Sequence, residues 1–185
     1  MEQKPSVFRS ILEWVVIIAI ALVVGSFIRT FVAMPFVVPT GSMEHTIEIG
    51  DQLVAEKVTL SLGQPVSAGD VVVSTNPETD SDHDFLVKRV IATEGQTVTF
   101  IGGRVFVDGE ALDEDYTVGK TYPLDQQAVD VDLDYPYTVP DGCVWVMGDN
   151  RENSADSRYF GAIPQDSVVG VALFRYWPLN RIGGI

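Results

Sequence analysis

Two apolar patterns divide the chain. From Trp14 to Ile28 it reads Trp-Val-Val-Ile-Ile-Ala-Ile-Ala-Leu-Val-Val-Gly-Ser-Phe-Ile, uncharged and apolar on every helical face. Such a segment belongs in lipid or deep in a core. Extended back to Ile11 it has eighteen residues, about 27 Å at about 1.5 Å each, close to the roughly 30 Å hydrocarbon layer. Glu13 and Arg29 then lie near opposite interfaces, within reach of head groups. Residues 11–29 are predicted as one transmembrane anchor, with 1–10 cytoplasmic and 30–185 forming an extracytoplasmic domain. Lys4 and Arg9 favour a cytoplasmic N-terminus; Arg29 opposes it. The rival is a cleavable signal sequence. Val23-Val24-Gly25 is a poor cut site for that, so an uncleaved anchor is expected.

After residue 30 the apolar runs become short and are punctuated by Gly, Pro, Asn and Asp, the pattern of strands and turns. Phe31 to Val38 carries Pro35 and reads as an extended segment or edge strand. Strands are predicted at 51–58, 71–74, 85–92, 142–147 and 168–176. Gln96–Ile101, Gly102-Gly103 and Arg104–Val107 form a hairpin signal. Residues 76–84 read as a polar loop, and 112–137 as an acidic, irregular insertion over or beside the core. The fold class is mainly β, a largely antiparallel catalytic domain behind one helix.

The chain has 185 residues and 46% hydrophobic content, enough for one compact domain and an anchor. Its formal net charge of −14, without a basic cluster, excludes a nucleic-acid-binding role. The same acidity opposes charge-driven docking on anionic lipid, so contact with the bilayer has to be hydrophobic. The acids lack calcium-loop or zinc-ligand spacing, and no metal or cofactor is expected. Cys143, the lone cysteine, lies in an apolar run and reads as structural.

Ser42 stands in Pro39-Thr40-Gly41-Ser42-Met43 just after the anchor, and Lys88 follows 46 residues later in Val87-Lys88-Arg89-Val90-Ile91. A serine hydroxyl needs a base to take its proton. The only histidines are His45, too close to Ser42 to fold back easily, and His83, in a polar loop beside Asp82 and Asp84. A Ser42–His83–acid triad is formally open. Lysine serves if neutral, and lowering its pKa from about 10.4 toward 7 costs roughly 4–5 kcal/mol. Burial does this. On a strand Lys88 shares a face with Leu86 and Val90, so it is either a buried functional lysine or an edge lysine whose amine reaches solvent.

These residues, with Gly69-Asp70-Val71-Val72, Lys88–Gly95 and the run Gly148-Asp149-Asn150-Arg151-Glu152-Asn153-Ser154-Ala155-Asp156-Ser157-Arg158 through Gly161, resemble the bacterial type I signal peptidases over nearly the whole chain. The single anchor and short chain look like the Gram-positive versions. The resemblance implies Ser42 as acylating nucleophile, Lys88 as general base, and the Ser42 N–H with the Thr40 hydroxyl as oxyanion hole. It implies Ser154 hydrogen-bonded to the Lys88 amine, Arg89 paired with Asp149, Asp156 paired with Arg158, and Asn153 among the supporting residues. It implies an extended preprotein substrate with small residues, typically alanine, three and one before the scissile bond. By strand addition this would dock along Phe36–Pro39, with Phe36, Val38, Met43 and Val87 as substrate-binding residues. Met34, Phe36 and Met43 are expected to rest against the lipid surface. Two positions depart from the family: His45 stands where proline is common, and Glu152 where aspartate is frequent. A self-cleaving repressor shares a Ser/Lys dyad but needs a DNA-binding domain and no anchor. A catalytically inactive, membrane-anchored binding module is the alternative of a different class.

Overall fold

The computed structural model describes residues 7–78 and 83–185. Lys4 and the middle of the 76–84 loop, including Asp82, lie outside the described residues. Helix α1 (Val7–Phe27) runs on through one wider π-type turn, Ile28–Val32. The stretch Phe8–Val32 is 25 residues long, wholly unburied and long and apolar enough to cross a membrane. Phe31 and Val32 thus belong to the helical segment, not to the extended one predicted from Phe31. Pro35 disfavours helix at the residue before it, and the chain turns extended at Ala33 (φ −158, ψ 150). Near the other end Arg9 pairs with Glu13 at 3.2 Å, one helical turn apart.

Strands β1 (Ala33–Val37), β2 (Gln52–Glu56), β3 (Val71–Thr75) and β4 (Phe85–Thr93) follow. Next come β5 (Thr97–Ile101), β6 (Arg104–Val107), β7 (Glu110–Ala111), β8 (Tyr137–Thr138) and β9 (Cys143–Met147). The last are β10 (Ile163–Pro164), β11 (Val168–Trp177) and β12 (Gly183–Gly184). They pair antiparallel in two sheets, one ordered β1-β2-β11-β3-β4-β9-β10 with β12 beside β11, the other β7-β6-β5-β8. The predicted strands are all present, because each alternates or masses β-branched residues between turn formers, and the hairpin predicted over 96–107 begins one residue later, at Thr97.

Three apolar clusters fill the fold. Val38, Met43, Ile47, Leu53, Val73 and Val87 pack where β1 and β2 approach β3 and β4. Val72, Val90, Val144 and Val146 form a second cluster. Trp145, Ile91, Val98 and Val105 join the two sheets, and Leu133, Val131 and Tyr135 of the acidic insertion pack against them. The insertion is therefore anchored by its few apolar residues while most of its acids stay outside. Its residue Val118 forms a parallel bridge with Asn150.

Two features of the large sheet bear on function. β1 is an edge strand, paired only with β2. β4 pairs with β3 over Phe85–Arg89 but with β9 only over Arg89–Thr93, so the first half of β4 has an open side. Phe36 of β1 meets Phe85 of β4 edge to face, with ring centroids 6.1 Å apart. The open side of β4 and the residues of β1 thus meet around one apolar cluster.

Candidate active site

The nucleophile candidate sits on a clamped turn. Thr40 is extended (φ −132, ψ 158) and makes no capping bond to the single 3-10 turn Gly41–Met43 that follows. That turn is held from the 148–158 loop. Asn150 donates its backbone N–H to the Ser42 carbonyl at 3.0 Å, and its side-chain amide to the Gly41 carbonyl at 3.1 Å and to Glu44 at 3.0 Å. Thr46 Oγ1 donates to Asp149 Oδ2 at 2.6 Å. Between these anchors His45 takes φ +80. Proline, fixed near φ −65°, cannot adopt that backbone, so this version of the loop has no place for it at 45.

Lys88 comes to the turn from β4. Its Nζ lies 2.6 Å from Ser42 Oγ, and the residue is 2% exposed. Across the ladder it faces Val72, and two residues on stands Val90, both fully buried. It is thus the buried lysine, not the edge one. Desolvation lowers its pKa from 10.5 to about 8, against Asp156 and Asp149, which favour the ammonium, and with Arg158, which opposes it. The amine within hydrogen-bond reach of Ser42 is that of Lys88.

Around the pair lie buried charges in matched sets. Arg89 forks onto Asp149 with bonds of 2.9 and 2.7 Å, and this pairing raises the arginine's pKa despite its burial. Arg158 forks onto Asp156 at 2.9 and 2.8 Å. Asp156 also accepts the Gly148 N–H at 3.1 Å, and Ser157 Oγ accepts the Val146 N–H at 2.8 Å. Bidentate guanidinium–carboxylate contacts fix both partners' planes beside Ser42 and Lys88.

Three expectations need correction. Ser154 is buried at 9% exposure, yet among the described residues its hydroxyl has no hydrogen-bond partner and does not bond the Lys88 amine, whose bond is to Ser42. It lies instead against Gly148. Asn153 is exposed on its turn and, among the described residues, bonds through its backbone to Asn150 O and not to Ser42 or Lys88. Met43 is 0% exposed, packed with Val38 and Val87, and cannot rest on lipid; Val38 and Val87 are likewise in the wall of that cluster. Phe36 is half-buried against it, and Val37 beside it is the exposed one. Sequence reasoning missed Asn150, Thr46 and Arg151, although Asn150 and Arg151 stand in the quoted Gly148–Arg158 run. Among the described residues no group of three or more His, Cys, Asp or Glu is placed to hold a metal ion.

Gly148 lies against the Ser42 turn. A Cβ there would overlap the Ser154 hydroxyl and the Ser42 carbonyl oxygen. Gly148→Ala is expected to lower kcat about 10–100-fold by displacing Ser42. It should also cost about 1–3 kcal/mol of stability from overpacking. Steady-state cleavage and urea unfolding of the same preparation check both.

The chain has relatives. The family described as signal peptidase, peptidase S26, matches residues 11–177. A probable signal peptidase I-1 from Synechocystis is 40% identical, covering 97% of this chain and 89% of that protein. A signal peptidase I from Leptolyngbya laminosa is 35% identical over 97% of this chain and 86% of its own length. Signal peptidase I T of Bacillus subtilis is 35% identical over 92% of this chain and 88% of its own. The crystal structure of a signal peptidase I from Enterococcus faecalis, 31% identical, superposes on 58% of this chain and 97% of that one with a TM-score of 0.47. A family match spanning most of the chain, with relatives of this identity and coverage, decides the matter: the chain belongs to the signal peptidases of family S26.

Proposed function

We propose that the protein is a membrane-anchored signal peptidase that removes N-terminal signal peptides through an acyl-enzyme on Ser42, with Lys88 as general base. The observation that carries it is the 2.6 Å contact between a fully desolvated lysine amine and the serine hydroxyl. The neutral amine takes the Ser42 proton as Oγ attacks the carbonyl carbon before the scissile bond. The resulting oxyanion is met by the Ser42 N–H and the Thr40 hydroxyl, donors worth roughly 3–4 kcal/mol each when aimed at developing charge. The Lys88 ammonium then protonates the leaving amine of the mature protein. A water deprotonated by the neutral lysine hydrolyses the ester and frees the signal peptide carboxylate.

Substrate binding follows from the sheet. An extended preprotein adds along the free edge of β1 and the open half of β4, with alternate side chains reaching the cluster formed by Phe36, Val38, Met43 and Val87. The anchor enters β1 directly, so the cleft stands next to the bilayer from which a signal peptide emerges. The N-terminus is cytoplasmic and the β domain lies on the outer face.

Cleavage of an Ala-x-Ala preprotein in detergent tests the reading. Wild type is expected to cut after the second alanine, and Ser42→Ala to fall at least about 10⁴-fold in kcat, as for loss of a covalent nucleophile. Product mass gives the cut site. A folded wild type that leaves the preprotein intact would return the inactive binding module.

A further inference from the structure

We propose that the acidic insertion positions the catalytic pair: Glu114, Tyr116 and Thr121 act as positioning residues for Ser42 and Lys88, through Arg151 and Arg89. This rests on the Ser42–Lys88 reading above. The grip is continuous through bonded contacts. Arg151 is 1% exposed. Its two terminal nitrogens fork onto Glu114 at 3.0 and 2.5 Å, and one of them also reaches Thr121 Oγ1 at 2.9 Å. Its Nε donates to the Gly148 carbonyl at 2.9 Å. The backbone is stitched as well, with Val118 N–H to Asp149 O at 3.0 Å and Arg151 N–H to Val118 O at 3.2 Å. Tyr116 bonds Glu114 through its hydroxyl at 3.1 Å and lays its ring under the Arg89 guanidinium, 4.1 Å from the ring centroid.

Residues 148–151 are therefore held on two sides. The insertion holds them from without, and they in turn hold Gly41, Ser42 and Thr46 from within. Arg89, next to Lys88 on β4, is sandwiched between Tyr116 and Asp149. The 112–121 segment thus reaches both halves of the pair without touching either. An arginine as buried as Arg151 stays in place only while its carboxylate partner does, so loosening Glu114 frees the carbonyl of Gly148 and the peptide at Asn150 together.

A purely structural insertion would change stability but not turnover by the molecules that remain folded. A positioning insertion changes turnover at constant substrate affinity, and a conservative variant restores it. Cleavage of an Ala-x-Ala preprotein by the full-length protein is measured for Glu114→Gln, Tyr116→Leu and Tyr116→Phe at a temperature where each is folded by circular dichroism. Glu114→Gln and Tyr116→Leu are expected to lose about tenfold in kcat with KM within about twofold, the scale of a sub-ångström displacement of reacting groups. Tyr116→Phe, which keeps the ring over Arg89, is expected to stay within about twofold of wild type. If Glu114→Gln does not fold, the Tyr116 pair decides. Wild-type kcat in Glu114→Gln and Tyr116→Leu, in an assay where wild type cuts and Ser42→Ala does not, overturns this inference alone. Equal cutting by wild type and Ser42→Ala overturns the dyad reading, and this inference with it.

Discussion

Lys88→Met is expected to abolish cleavage and to make the folded protein more stable. Both effects come from one property, an amine held in a dry site. Burial brings the Lys88 pKa from 10.5 to about 8, overcoming the attraction of Asp156. The base is the neutral form, so kcat/KM is expected to rise about tenfold per pH unit below about 7 and to level off above about 8. Stability has its own sign. The unfolded lysine keeps a pKa near 10.5, so between about 8 and 10.5 the unfolded chain binds more protons and stability rises with pH. Below about 8 the folded state carries the whole penalty, which at 1.36 kcal/mol per pKa unit is about 3 kcal/mol at pH 7. Methionine fills a similar volume without charge and removes that penalty. Urea unfolding at pH 7 and pH 9.5 is the check: wild type should gain more stability than Lys88→Met over that interval. A parallel response in the two proteins would mean that Lys88 is not held near neutrality, and the general-base assignment would fall with it.

The ease with which this site was read from sequence differs by residue, for physical reasons. The anchor was visible because a helix in lipid is apolar on every face, and no tertiary context is needed to say so. Its end lies beyond the predicted Arg29, since the wider turn at Ile28–Val32 leaves no mark in composition. The strands of the large sheet carry their own signal in β-branched runs. Lys88 among Leu86, Val87, Val90 and Ile91 was conspicuous, but only closure of β4 against the Ser42 turn shows it buried rather than reaching to solvent. Ser154 and Asn153 stand in the same short run as Asp149 and Asp156, yet one hydroxyl lacks a partner and the other side chain faces outward, because a tight loop sends neighbours to opposite sides. Asn150, which clamps the nucleophile turn, looks like any turn asparagine. Glu114 sits in a segment whose acids read as solvated, and its partner Arg151 is 37 residues away in sequence. A pairing of that kind has no period, so folding alone reveals it.

Asp156→Asn and Arg158→Met are expected to weaken the fold alike and to shift the pH dependence of cleavage in opposite directions. The stability effect is the larger one. Asp156 is fully buried and takes the Arg158 fork at 2.9 and 2.8 Å, the Arg158 N–H at 3.1 Å and the Gly148 N–H at 3.1 Å. Asparagine keeps the shape but leaves the Arg158 guanidinium charged and uncompensated, and methionine does the same to the carboxylate. Breaking a buried pair from one side typically costs about 3–5 kcal/mol. The catalytic effect follows from the charges near Lys88. After desolvation, Asp156 is the strongest influence and raises the amine's pKa, while Arg158 lowers it. Without the Asp156 charge the ammonium is less favoured, the pKa drops below about 8, and the rising limb of kcat/KM moves to lower pH. Without Arg158 the ammonium is more favoured, and the limb moves to higher pH. A general disturbance of the loop would lower activity in both variants at an unchanged midpoint, so opposite displacements identify Lys88 as the group whose proton controls the reaction. Midpoints that coincide with wild type in both variants would assign the titration elsewhere.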